Sequence, residues 1–178
     1  MNPKAHPFRR KDIRIPEFDY SQPGAFFVTI VTKDRKTLFG QVNNGKMVLN
    51  NVGKLAEEVW LALPTHFPNV ELGECVIMPN HVHGIISINV EATHASPLPR
   101  ISKGPAPGSI GAIIGSFKSA VTKRVHQISK NTNNNLWQRN YYEHIIRDER
   151  SWQNIAVYIL DNPRQWELDQ LFEAAGLH

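Results

Sequence analysis

The chain has almost no cysteine, and Cys75, inside an apolar segment, is the one present. An internal disulfide framework is therefore excluded, and a lone thiol in such a run reads as a small core residue of a protein kept reduced. Long apolar runs are missing too. Nothing approaches the roughly 20 residues of a membrane span, and the opening MNPKAHPFRRKDIRIPEF lacks the apolar stretch of a secretory signal. The expected setting is cytoplasmic, with no membrane partner. No glycine-rich phosphate loop occurs, so no nucleotide cofactor is expected. Charge of one sign is scarce: 20 Lys and Arg face 16 Asp and Glu, a formal net charge of +4 and a pI near 9.3. A polyanionic partner is compatible with that balance without being demanded by it. No internal repeat is apparent, and 178 residues with 41% hydrophobic content suit one domain with a real core.

What is present alternates between strand and helix patterns. Residues 1–24 concentrate proline and the basic run FRRKDIR, and read as an extended basic arm. AFFVTIVTKDR (25–35) has strand composition, and TLFGQV (37–42) reads as its hairpin partner. In NNVGKLAEEVWLALPTHFP, the residues Val52, Leu55, Ala56, Val59, Trp60 and Leu63 recur at helical spacing, with Asn50 or Asn51 as cap and Pro64 as stop. VELGECVIMP and HVHGIISINV are two strands around a tight turn at Pro79 and Asn80. Residues 91–108, rich in Pro, Gly and Ser, read as a long loop. SIGAIIGSFKSAVTKRVHQISK (109–130) is an amphipathic helix with a basic exposed side. LWQRNYYEHII reads as a strand, RDERSWQNIAVYILDNP as a helix closed by Pro163, and RQWELDQLFEAAGLH as a short amphipathic helix. The order β-β-α-β-β-α-β-α-α with short turns predicts an α+β domain, an antiparallel sheet packed against helices.

Two spacings carry possible chemistry. In HVH, residues i and i+2 of a strand face one side, so His81 and His83 project together while Val82 turns away. Two imidazoles on one face are a ready metal-ligand pair, although exposed or hydrogen-bonded core histidines are the ordinary reading of a bare H-x-H. A third ligand must come from elsewhere. Of His6, His66, His94, His126, His144 and His178, His144 is best placed, near a helix start; Asn162, whose amide oxygen suits a hard cation, is another candidate. The second spacing is VYILDNP, which puts Tyr158 and Asn162 four residues apart on one helix face. Alone, it reads more simply as an amphipathic aromatic at a core margin and an asparagine capping the helix before Pro163.

LWQRNYYEHIIRDERSWQNIAVYILDNP set beside VIMPNHVHGII, with FFVTIVTKDR before and GAIIGSFKSAVTKRV between, resembles the single-tyrosine HUH transposases, most closely the REP-associated tyrosine transposase branch. The likeness covers roughly residues 20–163. It implies a ferredoxin-like or RRM-like HUH nuclease fold over 25–163, set between the extended basic arm over 1–24 and the short C-terminal helix over 164–178 that composition and spacing predict. It further implies that His81, His83 and Asn162 hold Mg²⁺ or Mn²⁺, and that Tyr158 is the nucleophile of a 5′-phosphotyrosine. Tyr141 and Tyr142, in the preceding strand, do not match the catalytic position and read as core or DNA-facing residues. The implied substrate is single-stranded DNA with hairpins, cleaved and rejoined without a nucleotide cofactor, with monomer and homodimer both open. Arg9, Arg10, Lys11, Lys118, Lys123, Arg124, Arg139 and Arg147 are the candidate backbone contacts. A non-catalytic nucleic-acid-binding module and a nuclease using water remain the alternatives.

Overall fold

The computed structural model describes residues 23–89, 105–129, 135–169 and 171. Residues 1–22 of the expected arm, 91–104 of the loop, and 170 and 172–178 of the expected C-terminal helix lie outside them. The central sheet has four antiparallel strands in the order β4-β5-β1-β6, formed by β1 (Gly24–Val31), β4 (Val70–Met78), β5 (His81–Ile88) and β6 (Tyr142–Ile146). Helices α1 (Asn51–Leu61), the short α2 (Leu63–His66) and α3 (Ile110–Ser129) lie in sequence between these strands, and α4 (Glu149–Asp161) follows β6. This is the expected α+β architecture.

The first predicted hairpin is corrected. TLFGQV does not pair with β1; β2 (Gly40–Asn43) pairs with β3 (Lys46–Leu49), a strand that composition does not predict. Asn44 and Gly45 both have positive φ, 50° and 69°, the two-residue turn whose twist matches antiparallel strands. The partners of β1 are instead β5 and β6, both far away in the chain.

The two sheet faces are filled differently. Phe26, Val28 and Ile30 of β1 and Val82 and Ile86 of β5 pack with Leu55, Val59 and Trp60 of α1 and Ile113, Phe117 and Val121 of α3 in one apolar core. The Asn50 side chain accepts from the amides of Val52 and Gly53, fixing the start of α1 as expected. The opposite face holds a smaller cluster, Phe27, Ile85 and Ile146 against Ile155 and Ile159 of α4. On each face a tryptophan lies on a glycine. A Cβ on Gly84 would sit 2.3 Å from the Trp60 ring of α1, and one on Gly73 2.8 Å from the Trp152 ring of α4. Between Leu72 and Cys75 the β4–β5 register shifts, a bulge that sets two residues of one strand against one of the other. Cys75 itself is half-buried; burial, then the Glu57 charge, pushes its thiol far above the usual range, which suits a packing role.

Pro163 does not end the chain's helical path. A 3-10 helix, Asn162–Leu168, continues directly from α4. Proline is tolerated there because the first residues of a helix need no amide partner. The amphipathic helix expected over 164–178 thus begins as 3-10 structure and gives way to extended backbone at Asp169.

Candidate active site

Register places the two histidines. His83 stands opposite Thr29 and His81 opposite Val31 on β1, while Val82 joins the core on the other face. Both imidazoles are fully buried. Buried polar groups need partners, and these have dedicated ones. Asn80 donates its amide hydrogens to the carbonyls of Arg35 at 3.1 Å and Leu171 at 2.6 Å. Its Oδ1, 2.8 Å from His81 Nδ1, is therefore the acceptor, and the ring proton sits on Nδ1. His81 Nε2 is left as a lone pair, the form that binds metal. His83 Nδ1 lies 2.9 Å from Thr29 Oγ1 and its Nε2 3.3 Å from the Tyr158 hydroxyl. Both bonds form in either neutral tautomer of His83; with the proton on Nδ1, the ring donates to the threonine and the tyrosine donates to Nε2.

Helix α4, capped by the Asp148 side chain on the Ser151 amide, carries Tyr158 to this point. The Tyr158 ring packs edge-on to Phe27 at 6.0 Å and beside His83 at 5.3 Å. Burial pushes its hydroxyl far above the ordinary tyrosine range, the Asp169 charge adds to this, and a hydrogen bond with Asn162 opposes it. The hydroxyl is a proton donor at neutral pH.

Asn162 is 3% exposed. Its amide donates to Asp169 Oδ2 at 3.3 Å, and its Oδ1 is buried with no hydrogen-bond partner. Ligand atoms of His81, His83 and Asp169 all lie within 4.8 Å of one another, a group that can hold a metal ion. Two imidazoles and a carboxylate, with an orphaned amide oxygen on the residue bonded to that carboxylate, are donors of a kind that fits a cation.

Asp169 is the residue sequence reasoning missed. It lies past Pro163, where spacing predicts a separate helix, and only the 3-10 path brings it back. Trp166, packed 5.9 Å from the His81 ring, anchors that return. Thr29 and Asn80 also escape sequence reasoning as functional residues. The available signal for Thr29 is a hydroxyl inside an apolar strand, and for Asn80 the turn preceding the first histidine. His144, the rival third ligand, stands on β6 opposite Phe27 and is not in the His81, His83, Asp169 group.

The candidate DNA contacts scatter. Arg9, Arg10 and Lys11 lie outside the described residues. Lys118 is turned onto backbone, donating to the carbonyls of Gln138 and Asn140, each at 2.9 Å, and burial pulls its ammonium down to about 8. Arg124 pairs with Glu58 at 2.9 Å. Lys123, Arg139 and Arg147 are exposed. Among the described residues no helix is long and apolar enough to cross a membrane.

No family model matches the chain. It is 42% identical over 169 residues to an uncharacterized protein of Haemophilus influenzae, covering 92% of this chain and 93% of that one. A second protein of the same organism, named "Putative REP-associated tyrosine transposase", is 26% identical over 149 residues, covering 82% of this chain and 73% of that one. A solved structure described as "Structure of the REP associates tyrosine transposase bound to a REP hairpin" shares the fold. Its TM-score is 0.56 at 18% identity, over 83% of this chain and 70% of that one. The resemblance carried by HVH and VYILDNP thus meets a relative named as a REP-associated tyrosine transposase and a solved structure of the same fold, and these are the proteins the chain is similar to.

Proposed function

We propose that the protein cleaves and rejoins single-stranded DNA with Tyr158 as nucleophile, in one catalytic unit running from β1 to at least Asp169. The observation that carries this reading is the Tyr158 hydroxyl 3.3 Å from His83 Nε2, at the edge of the His81, His83, Asp169 group. His81, His83 and Asp169, with Asn162 Oδ1, would hold a divalent cation, Mg²⁺ or Mn²⁺; imidazole ligands favour Mn²⁺. When bound, such an ion supplies Lewis-acid polarisation of a phosphate oxygen and offsets transition-state charge.

The protein's own groups supply the rest. In the resting site His83 Nε2 holds the Tyr158 proton in a hydrogen bond, and the same lone pair is the one a cation needs. A cation held by His81, His83 and Asp169 would use that nitrogen, and the Tyr158 hydroxyl would then be released from His83. The Asn162 side chain stabilises the phenolate as the proton passes to solvent water. Tyr158 Oη forms the new bond to phosphorus, the bond from phosphorus to the 3′ oxygen breaks, and that oxygen leaves as a hydroxyl after taking up a proton. The phosphodiester energy is kept in the 5′-phosphotyrosine, so rejoining by the reverse attack needs no nucleotide cofactor. A hairpin-bearing single strand is the proposed substrate, in line with the hairpin bound by the solved relative.

Incubation of the protein with Mn²⁺ and a hairpin-bearing single strand should give a covalent adduct that survives denaturing electrophoresis and is absent from Tyr158→Phe. Failure of the wild type to form it, or an undiminished adduct from the variant, overturns the reading. Free 5′-phosphate ends formed independently of Tyr158 would select a water nuclease, and binding without cleavage would select a non-catalytic module.

A further inference from the structure

Two adjoining concavities lie at the end of β1 where the Lys33–Arg35 turn meets the 135–139 segment. One, of about 700 Å³, runs along α3 and is lined by Thr122, Lys123 and His126; the other, of about 420 Å³, is lined by Lys33, Asp34 and Arg35. Asn135, Trp137, Gln138 and Arg139 line both, so the two form one continuous groove. Its walls carry five lysines and arginines against the single carboxylate of Asp34, a far steeper imbalance than the 20 against 16 of the whole chain. Lys118 is the structural member of that set. Its bonds to the carbonyls of Gln138 and Asn140 hold the 138–140 wall against α3, and Lys33, Lys123 and Arg139 are the exposed cations of the groove.

The groove is tied to the histidines by a short chain of bonds. The Thr32 amide donates to the Asn80 carbonyl at 2.9 Å, and the Thr32 hydroxyl shares its one hydrogen between that carbonyl at 2.9 Å and the Lys36 carbonyl at 2.8 Å. Asn80 in turn donates to the Arg35 carbonyl and accepts from His81 Nδ1. Asn80 therefore bonds both the Lys33–Arg35 wall and His81.

We infer that this groove binds the phosphodiester backbone of the single-stranded DNA that flanks the cleaved phosphate, leading it to His81. The chemistry is cations with amides beside them: Asn135 and Gln138 stand among the charges, able to bond phosphate oxygens or unpaired base edges. Trp137 is 4% exposed and spends its indole N–H on the Lys118 carbonyl, so it offers no stacking platform. Binding in the groove is accordingly electrostatic and steeply salt-dependent. The identity of the ligand rests on the proposed function; the position of the site rests on the groove alone.

The test uses the full chain, a labelled unstructured oligothymidine and a chelator to prevent cleavage, with affinity read by anisotropy across a salt series. Lys33→Glu with Arg139→Glu should weaken binding at low salt at least tenfold. It should also make the dependence of log affinity on log salt shallower by about 1 to 2, at roughly 0.7 for each phosphate the protein no longer neutralises. The milder Lys33→Gln with Arg139→Gln should lose less affinity with the same sense of slope change. Lys46→Glu with Lys54→Glu, an equal charge reversal outside the groove, should stay within about twofold of wild type. Equal losses from the two glutamate pairs, or none from either, overturn the inference. An absent Tyr158 adduct alongside a groove-specific loss removes the proposed chemistry and leaves the groove; an adduct alongside equal losses does the reverse.

Discussion

The two faces of the central sheet are made from the same strands yet answer to different demands. Toward α1 and α3, β1 and β5 present Phe26, Val28, Ile30, Val82 and Ile86, and the face is dry and apolar. Toward α4 the alternate residues of the same strands are Phe27, Thr29, His81, His83 and Ile85, and polar groups as buried as any core residue sit among fewer apolar ones. Period-two alternation lets one strand serve both. The first face supplies the stability that the second consumes, since each buried imidazole, hydroxyl and amide must be desolvated and then partnered.

Tyr158→Phe should break the symmetry most sharply. Adduct formation should fall at least about a thousandfold, roughly 4 kcal/mol in the barrier, while urea unfolding shifts by less than about 0.5 kcal/mol. Because the hydroxyl proton no longer occupies His83 Nε2, calorimetric Mn²⁺ affinity should equal or exceed that of wild type. On the other face, Phe117→Ala should cost about 4 kcal/mol of stability, with adduct yield per folded molecule unchanged. Asn80→Ala removes the acceptor that fixes the His81 tautomer, and Mn²⁺ should bind about 10 to 100-fold more weakly. Asp169→Asn keeps the shape and removes the charge, for a loss of about tenfold in the same titration.

How much of this was legible follows from the range of the forces involved. Asn50 as cap, the apolar stripe of α3 and the shared face of His81 and His83 depend on neighbours within a few residues, and all three emerge as expected. Strand partnership does not. Nothing near β1 encodes pairing with β5 and β6, and the compositional match of TLFGQV outweighs the Asn44–Gly45 turn that marks the true hairpin. The candidate site divides the same way. Tyr158 and Asn162 share a helix face by spacing alone, whereas Asp169 arrives through a 3-10 path that Trp166 fixes by packing on His81, an approach no local pattern records.

Asn80 joins segments 45 and 91 residues away in the chain on a single amide. Closures across such separations are entropically costly and come late when a chain folds. The strands and the apolar core can form before residue 171 arrives, and only then is the amide that orients His81 held from both sides. In a refolding experiment, recovery of tryptophan fluorescence should therefore precede recovery of Mn²⁺ binding, making metal capture a mark of the finished molecule.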